Sequence, residues 1–579
     1  MEIGYSKHNH EELFKDLENE NFSNLQDIQN YIPIYKEFFD LNKKNYKNVN
    51  FDSTFVLKKI KEKLSYNKYV VELENTKTNE KSEKICYCKF APLIDPIKYM
   101  MGKYKNIDES EFYKLPYIDE KKDNVMEKYD FIHNVAYVDA LFSYLSSKTK
   151  DNGFIHANNY YGMFLANQKD FKVNIEDDLE YMFQSQFFHN NKHTLFEIEN
   201  NNSLFANRSF KYKKPIEIND SEVKIEIEEF PNEIINTIFQ EVPIDKSVQN
   251  INIQQDLSAA MVDNMVYENI EHTKKNEDNH SEDDSSSTCS SSSSVTNNTE
   301  ENQSNPNTNE DMSEYNSEDN SEDGSDTSSC DEENESFAII KKYPVLAIFT
   351  ECCEDTLDNY MMDNEISNNE WKSILFQIIA ILHYYQNEFL FTHNDLHSSN
   401  IVFEFTNETH LYYEINNKKY KVPTYGHIFK IIDFGRSIFT INSKRFCSDS
   451  FSKGEDADTQ YNTEPFFNEE KPRIEPNYSF DLCRFGCSMY DFFIDHVDDE
   501  DDICKENPIA NLIRNWCLDD NGKNILYKKS GEERYPEFKL YKMIARNVHN
   551  HEPLKQLEKG IFKKFLTKDK IKFNKIMKL

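Results

Sequence analysis

Between Glu271 and Glu335 the chain runs for 65 residues with 20 Asp and Glu against two Lys, a net of −18 that is half of the −36 carried by all 579 residues. Ser285-Ser286-Ser287, the serine run from Ser290 to Ser294 and repeats of Ser-Glu-Asp leave almost nothing apolar in it. Such a segment cannot bury enough surface to offset the entropy of ordering, and it reads as a disordered insertion over residues 257–336. Whatever folds is therefore assembled from the chain on either side. The protein divides into 1–170, an N-terminal extension followed by a first lobe; 171–256, an insertion of uncertain structure; the acidic segment 257–336; and 337–579, which opens with the strand-like Phe337-Ala338-Ile339-Ile340.

At 579 residues the chain is too long for one compact core, so two or more lobes are expected. Hydrophobic residues make up only 38%, yet 43 Phe and 34 Tyr point to a large aromatic core in the folded parts. With 67 basic against 103 acidic residues, general nucleic-acid binding is not expected, because phosphate neutralisation needs a surplus of Lys and Arg. The start, Met1-Glu2-Ile3-Gly4-Tyr5, is neither a signal nor a transit sequence, and no apolar run reaches about 18 residues. The chain reads as soluble and intracellular, with no membrane partner. Its eleven cysteines form no CxxC pair and read as reduced thiols, and His189 and His193 have ligand spacing without further ligands beside them.

Two strand-like runs, Lys68 to Glu74 and Lys84 to Phe90, predict a hairpin. Asn134 to Lys148 predicts a helix capped by Asn134, with Val138, Leu141, Phe142 and Leu145 on one face. Tyr160 to Leu165 and Tyr343 to Phe349 read as strands, and Asn368 to Phe389 as a long helix with Ile374, Ile378, Ile379 and Leu382 inward. The remainder reads as helix-rich to Leu579. Residues 549–579 hold nine Lys against three acids, with Leu557, Ile561 and Phe565 spaced as on a closing helix. Strands first and helices later indicate the α+β class.

Directly after the long helix stands His393-Asn394-Asp395-Leu396-His397-Ser398-Ser399-Asn400, followed by apolar Ile401-Val402-Phe403. Further on, Phe429-Lys430-Ile431-Ile432 leads into Asp433-Phe434-Gly435. An Asp on a turn between helix and strand, an Asn five residues later, and a strand ending in Asp-Phe-Gly is the order of a phosphotransfer site. A hydroxyl is a poor nucleophile that Asp395 can orient and deprotonate, and Mg2+ needs hard oxygen ligands, which Asn400 and Asp433 supply.

On these motifs the chain resembles the eukaryotic-type protein kinase superfamily. In the phrases Lys89 to Tyr99, Ala136 to Ala140 with Phe142 to Ser147, Thr392 to His397, and Ser479 to Gly486 it is similar to the divergent serine/threonine protein kinases of giant DNA viruses. The resemblance covers about residues 60–170 and 337–579. It implies a two-lobed protein kinase-like fold, a small β-rich N-lobe and a helical C-lobe, with ATP and Mg2+ in the cleft and a protein substrate. For a viral protein it implies the host cytoplasm or the virion. It further implies that Lys89 holds the α and β phosphates, with Asp139 offered as its acidic partner, and that the backbone at Glu351 and Cys353 meets adenine. Phe434 would pack between the lobes, Gly435 would let the backbone turn, and Asp481 and Gly486 would support the catalytic loop from a buried helix.

Three departures bear on activity. No glycine lies between Gly4 and Gly102, so the Gly-rich loop over the phosphates is absent in its usual form. Asn394 stands where the family has Arg, and His397 where it has Lys; a Leu-His there also resembles the aminoglycoside and choline kinase-like branch. Three readings follow: a serine/threonine protein kinase, a small-molecule kinase of the same superfold, and a pseudokinase scaffold whose acidic segment recruits basic partners.

Overall fold

The computed structural model describes residues 1–118, 126–199, 336–570 and 575–579. The acidic segment read at 257–336, apart from Ser336, and the insertion beyond Glu199 lie outside the described residues. The architecture is mixed α+β, with a β-rich N-terminal region and most of the long helices in the C-terminal region.

The N-terminal region is organised by one antiparallel sheet of seven strands. Its members are β1 (Leu25–Gln29), β2 (Phe55–Lys63), β3 (Lys68–Asn75), β4 (Lys81–Pro92), β5 (Tyr160–Asn174), β6 (Phe196–Ile198) and β7 (Phe337–Glu351). Their order is β1-β5-β7-β4-β3-β2, with β6 also paired to β7. Three strands thus form a meander, β2-β3-β4, of which composition alone reveals only the last two. The missing strand, Phe-Val-Leu-Lys-Lys-Ile-Lys-Glu-Lys, is hidden because its register on β3 shifts twice, between Leu57 and Lys59 and between Ile60 and Glu62. Such bulges break the two-residue alternation by which a strand is recognised.

Central β7 lies between β4 and β5, so Val345 to Phe349 are all buried and read as a continuous apolar run. Asn174 of β5 pairs with Phe337 of β7, and Glu199 N donates to Phe337 O at 2.9 Å. Glu199 and Ser336 thus both lie at the N-terminal end of β7. Strand β5 also runs past residue 170, so the first lobe extends beyond the boundary suggested by composition.

Helix α1 (Val135–Lys148) crosses between β4 and β5, and the Asn134 side chain caps it by accepting from Ala136 N at 3.0 Å. In the C-terminal region α2 (Asn368–Phe389) is buried along nearly its whole length and stops at Leu390, whose φ is +51°. Helices α3 (Phe480–Phe493) and α4 (Pro508–Trp516) pack tightly at Gly486, where a Cβ would lie 2.9 Å from Trp516 Cβ. A larger residue there would overpack the interface.

This region is less purely helical than its composition suggests. Strands β8 (Ile401–Phe405), β9 (His410–Ile415), β10 (Lys418–Pro423), β11 (His427–Ile431), β12 (Ile438–Ile441) and β13 (Lys444–Cys447) intervene after α2. Nor does a single helix close the chain. Pro553 and Gly560 divide it into a short helix, Pro553–Leu557, and a 3-10 turn, Gly560–Phe565, before β14 (Ile576–Lys578) joins β9 in parallel. Leu557 and Phe565 are nevertheless buried. Among the described residues no helix is long and apolar enough to cross a membrane.

Candidate active site

Strand β4 carries Lys89, opposite Ile348 of β7. Its Nζ lies 2.7 Å from Asp139 Oδ2 of α1 and 2.8 Å from Asp433 Oδ1, just after β11. Burial pushes the Lys89 ammonium down, but the two carboxylates outweigh it and hold it above the ordinary lysine value. Burial raises the Asp139 carboxyl, with Lys89 opposing and Asp433 reinforcing the rise. Asp139 Oδ1 also accepts from Phe434 N at 3.0 Å, tying α1 to the turn after β11. Two carboxylates face one ammonium, and the second oxygen of Asp433, Oδ2, is buried without a hydrogen-bond partner.

The turn at Asp433 differs from the sequence expectation in one respect. The residue with positive φ is Asp433 itself, at +63°, a conformation Asp tolerates better than most side chains. Gly435 is needed for proximity instead: a Cβ there would lie 3.1 Å from Val135 Cγ2 at the start of α1. Phe434 packs on Phe142 of α1, ring centroids 4.7 Å apart, and near Phe391 and His393 of the C-terminal region.

Above this cluster lies a cavity of about 340 Å³, large enough for a small-molecule ligand. Ile348, Val402 and Ile431 supply apolar lining, and Lys89, Asp139 and Asp433 are among its charged groups. Glu351 and Cys353 also line it. The Glu351 N–H is already donated to Asn159 O at 2.8 Å, which removes that N–H as a donor to a base. The Glu351 side chain is structural. Against burial, Lys430 and Lys150 hold its carboxyl down at about 2, and Lys430, fully buried, bridges it to Glu404. Burial pushes the Cys353 thiol up to about 12, which leaves it inert.

The loop from His393 to Asn400 is held from below. Asp481 of α3, fully buried, accepts from His393 N at 2.9 Å and Asn394 N at 2.8 Å. Asn394 adopts φ +65°, donates to Arg436 O at 2.9 Å and accepts from Tyr461 OH at 2.7 Å. Neutral hydrogen bonds thus join this loop to the segment after Asp433. Asn400 Nδ2 donates to Asp395 O at 2.9 Å and contacts His397 Nε2 at 3.0 Å, which leaves its amide oxygen outside both bonds. Burial lowers the His397 pKa despite nearby Asp395, so the imidazole is neutral.

Neither Asp395 nor Asn400 lines the 340 Å³ cavity. Asp395 faces a different set of groups, which sequence reasoning missed. Its Oδ1 accepts from Tyr541 OH at 2.7 Å, and its Oδ2 lies 3.7 Å from Arg436. Tyr541 belongs to α5 (Lys539–Asn547) and in turn accepts from Arg484 Nε at 2.9 Å. Burial would raise the Asp395 carboxyl, but Arg436, with Arg484 and the Tyr541 hydroxyl, holds it well below the usual carboxylate range. Only the position of Arg436, next to Gly435, hints at this. Tyr541 lies far along the chain and no local pattern marks it.

His189 Nε2 lies 2.9 Å from Phe183 O and His193 Nδ1 lies 2.8 Å from Glu197, so the two have separate partners. Among the described residues no cluster of three or more His, Cys, Asp and Glu is arranged to hold a metal ion. The groups present fit a cation that arrives with a ligand, since Mg2+ is commonly held by one or two carboxylates plus substrate phosphates. No protein-family model matches the chain, and no curated protein matches it.

Proposed function

We propose that the chain is an ATP-dependent phosphotransferase of the protein kinase superfamily, a serine/threonine protein kinase that moves the γ-phosphate of ATP onto a protein hydroxyl. The observation that carries the reading is the junction of Lys89, Asp139 and Asp433 at the charged end of the 340 Å³ cavity. A lysine on the third strand of a meander, paired to an acid of the following helix and to the Asp of Asp-Phe-Gly, is the arrangement phosphoryl transfer requires. The order of the main elements, a meander, helix α1, the remaining strands of the sheet and then a region holding most of the long helices, supports the two-lobed kinase-like fold.

Bound Mg2+ and ATP supply the phosphoryl group and the positive charge that stabilises its oxygens in transfer. Lys89 would hold the α and β phosphates. Asp433 Oδ2, buried and partnerless, and the Asn400 amide oxygen are the hard oxygens for the cation. Asp395 stays ionised at neutral pH and can accept the hydroxyl proton of the acceptor. Arg436 provides beside it the positive charge that neutral His397 does not.

One pair of observations favours a second reading, a nucleotide-binding scaffold without turnover. The turn joining β2 to β3 has no glycine and is pinned by Tyr66, whose hydroxyl accepts from Lys172 N at 2.9 Å, and Asp395 Oδ1 is already bonded to Tyr541. Full-length protein incubated with γ-labelled ATP, Mg2+, a mixed protein substrate and a panel of amino alcohols separates the readings. Label in protein supports the protein kinase, label in an amino alcohol a small-molecule kinase, and nucleotide binding without transfer the scaffold.

Tyr541→Phe tests the environment of Asp395. Losing the phenol hydroxyl removes a hydrogen bond that lowers the Asp395 pKa, so the carboxyl titrates at higher pH in the variant and the acid limb of activity shifts upward with it. Carboxyl carbon resonances followed against pH report the same shift without turnover. An unchanged Asp395 titration would show that the hydroxyl does not bear on the carboxylate.

A further inference from the structure

Two lysine-rich stretches, 415–421 and 559–570, together hold eight Lys and one acid, Asp569, in a chain whose net charge is −36. The first is the turn and strand of the β9–β10 hairpin, where Asn416 and Asn417 take φ of +48° and +62°, as a tight two-residue hairpin turn requires. The second runs beside it: Tyr420 bridges to Leu566, and Thr567 N donates to Lys419 O at 2.9 Å. The aromatic residues of both stretches turn inward. Tyr420, Phe562 and Phe565 are buried around Phe376 of α2, with ring centroids 5.2, 5.7 and 5.6 Å away. The lysines set between them are left on one outer face, where Lys418, Lys563, Lys564, Lys568 and Lys570 are exposed.

Most of these lysines have no counter-charge. Lys418 has Glu558 at 3.0 Å and Lys421 has Asp569 at 3.6 Å, whereas Lys564 reaches only the neutral Asn369 Oδ1 at 2.7 Å. Among the described residues Lys419, Lys559, Lys563, Lys568 and Lys570 form no ion pair. Burial lowers the Lys559 pKa, and burial together with Lys372 of α2 lowers that of Lys564, so no carboxylate offsets either. Elsewhere the surplus of acids does meet lysines, as at Lys36 with Asp130, 3.1 Å, and Lys148 with Asp52, 3.0 Å. This face stands apart from the rest of an acidic chain.

A matching anionic stretch is on the same chain. Residues 300–335 hold 14 Asp and Glu and no Lys or Arg, and they lead directly into Ser336 at the start of β7. Extended, such a stretch spans ~110 Å, several times the ~22 Å radius of gyration of a fold of this size, so every face is within its reach. A free polyanion must approach a chain of net −36, but a tethered segment is held nearby at an effective concentration on the order of millimolar. Contacts too weak to capture the former therefore suffice for the latter. Neither lysine stretch contains Arg, whose planar fork pairs with phosphate bidentately, which favours a diffuse carboxylate partner over a nucleic-acid or lipid phosphate.

We propose that the acidic stretch 300–335 docks on the lysine face formed by 415–421 and 559–570, its carboxylates supplying the counter-charge those lysines lack. The proposal does not depend on the phosphotransferase reading. A fluorescent peptide of residues 300–335, titrated at low salt, tests it on full-length proteins: the parent; a neutralised variant with all 14 acids of the stretch changed to Asn or Gln; and that variant with Lys419→Glu, Lys563→Glu and Lys568→Glu added. Lys523→Glu, at an exposed lysine elsewhere, is the control on the same background.

The neutralised variant should bind the peptide at least tenfold more tightly than the parent, whose own stretch competes for the face. The three lysine substitutions should then weaken binding at least tenfold, Lys523→Glu should change nothing, and salt near 1 M, where the Debye length falls to about 3 Å, should abolish binding. Melting curves check folding, and the comparison of parent with neutralised variant needs no lysine substitution to fold. Equal binding by those two, or no binding by the neutralised variant at millimolar peptide, overturns the docking. Binding that the lysine substitutions leave unchanged overturns the face. A difference between parent and neutralised variant that vanishes on dilution gives the face to a second copy and overturns docking within one chain. Capture of RNA or phosphatidylserine vesicles by the parent, lost with the three lysines, gives it to a phosphate polyanion instead.

Discussion

On the proposed reading, Asp433→Ala is expected to lower phosphoryl transfer by about a hundredfold or more while the protein stays folded. The reasoning begins with charge. Lys89, Asp139 and Asp433 together hold two carboxylates against one ammonium, and the oxygen of Asp433 that Lys89 does not reach is buried and partnerless. Without nucleotide this surplus is a cost, so removing it leaves Lys89 paired with Asp139 at 2.7 Å and the melting temperature level or slightly higher. On the proposed reading the same oxygen would be the cation ligand when nucleotide is bound, and its loss would remove stabilisation where phosphoryl charge develops. Initial rates with labelled ATP beside a melting curve make the test. Normal turnover in a folded variant would sink the active-kinase reading. Asp395→Asn should lower turnover to a similar degree and leave the nucleotide dissociation constant unchanged, because Asp395 lies outside the cavity that Lys89 and Asp433 line.

What could be read from the sequence and what could not divide along a physical line. The helices at 135–148 and 368–389 and the strand containing Val345 to Phe349 are long, strongly patterned elements, and local composition was enough to find them. Lys89 lies within a strand paired to that central one, and Asp433 follows a short apolar strand, so both could be placed from local pattern and motif. Phe55–Lys63 escaped because two bulges scramble its alternation. The closing segment was misread because Leu557, Ile561 and Phe565 satisfy a helical spacing that Gly560 interrupts. At Gly435 the motif suggests a turn residue, whereas its close approach to Val135 is a tertiary fact that no local pattern carries. Tyr541 and Arg484 depend wholly on which distant segments meet, and nothing in their own neighbourhood announces that.

The largest stability effect is expected away from the reacting groups, at Asp481. Its carboxylate is fully buried and accepts the N–H groups of His393 and Asn394, themselves fully buried. Burial raises its pKa, with His393 and the two amide bonds opposing the rise, so the fold bears a desolvation cost in order to hold this turn. Asp481→Ala leaves two buried donors without an acceptor, at about 1–3 kcal/mol each, and should lower unfolding free energy by about 3 kcal/mol or more. Asp481→Asn restores one acceptor but sets an amide N–H2 against the other donor, so it should lie between the two. Urea unfolding gives the measure, as a fall in midpoint with an unchanged slope; a loss below about 1 kcal/mol would mean that the turn finds other partners. The consequence for function is selective. Asp395 follows directly on the two anchored amides, whereas Lys89 and Asp139 are held by β4 and α1. On the proposed reading, nucleotide binding should therefore survive in Asp481→Ala protein kept folded at low temperature while transfer to the acceptor is lost, which would separate the support of the His393–Asn400 loop from the cavity that Lys89 and Asp433 line.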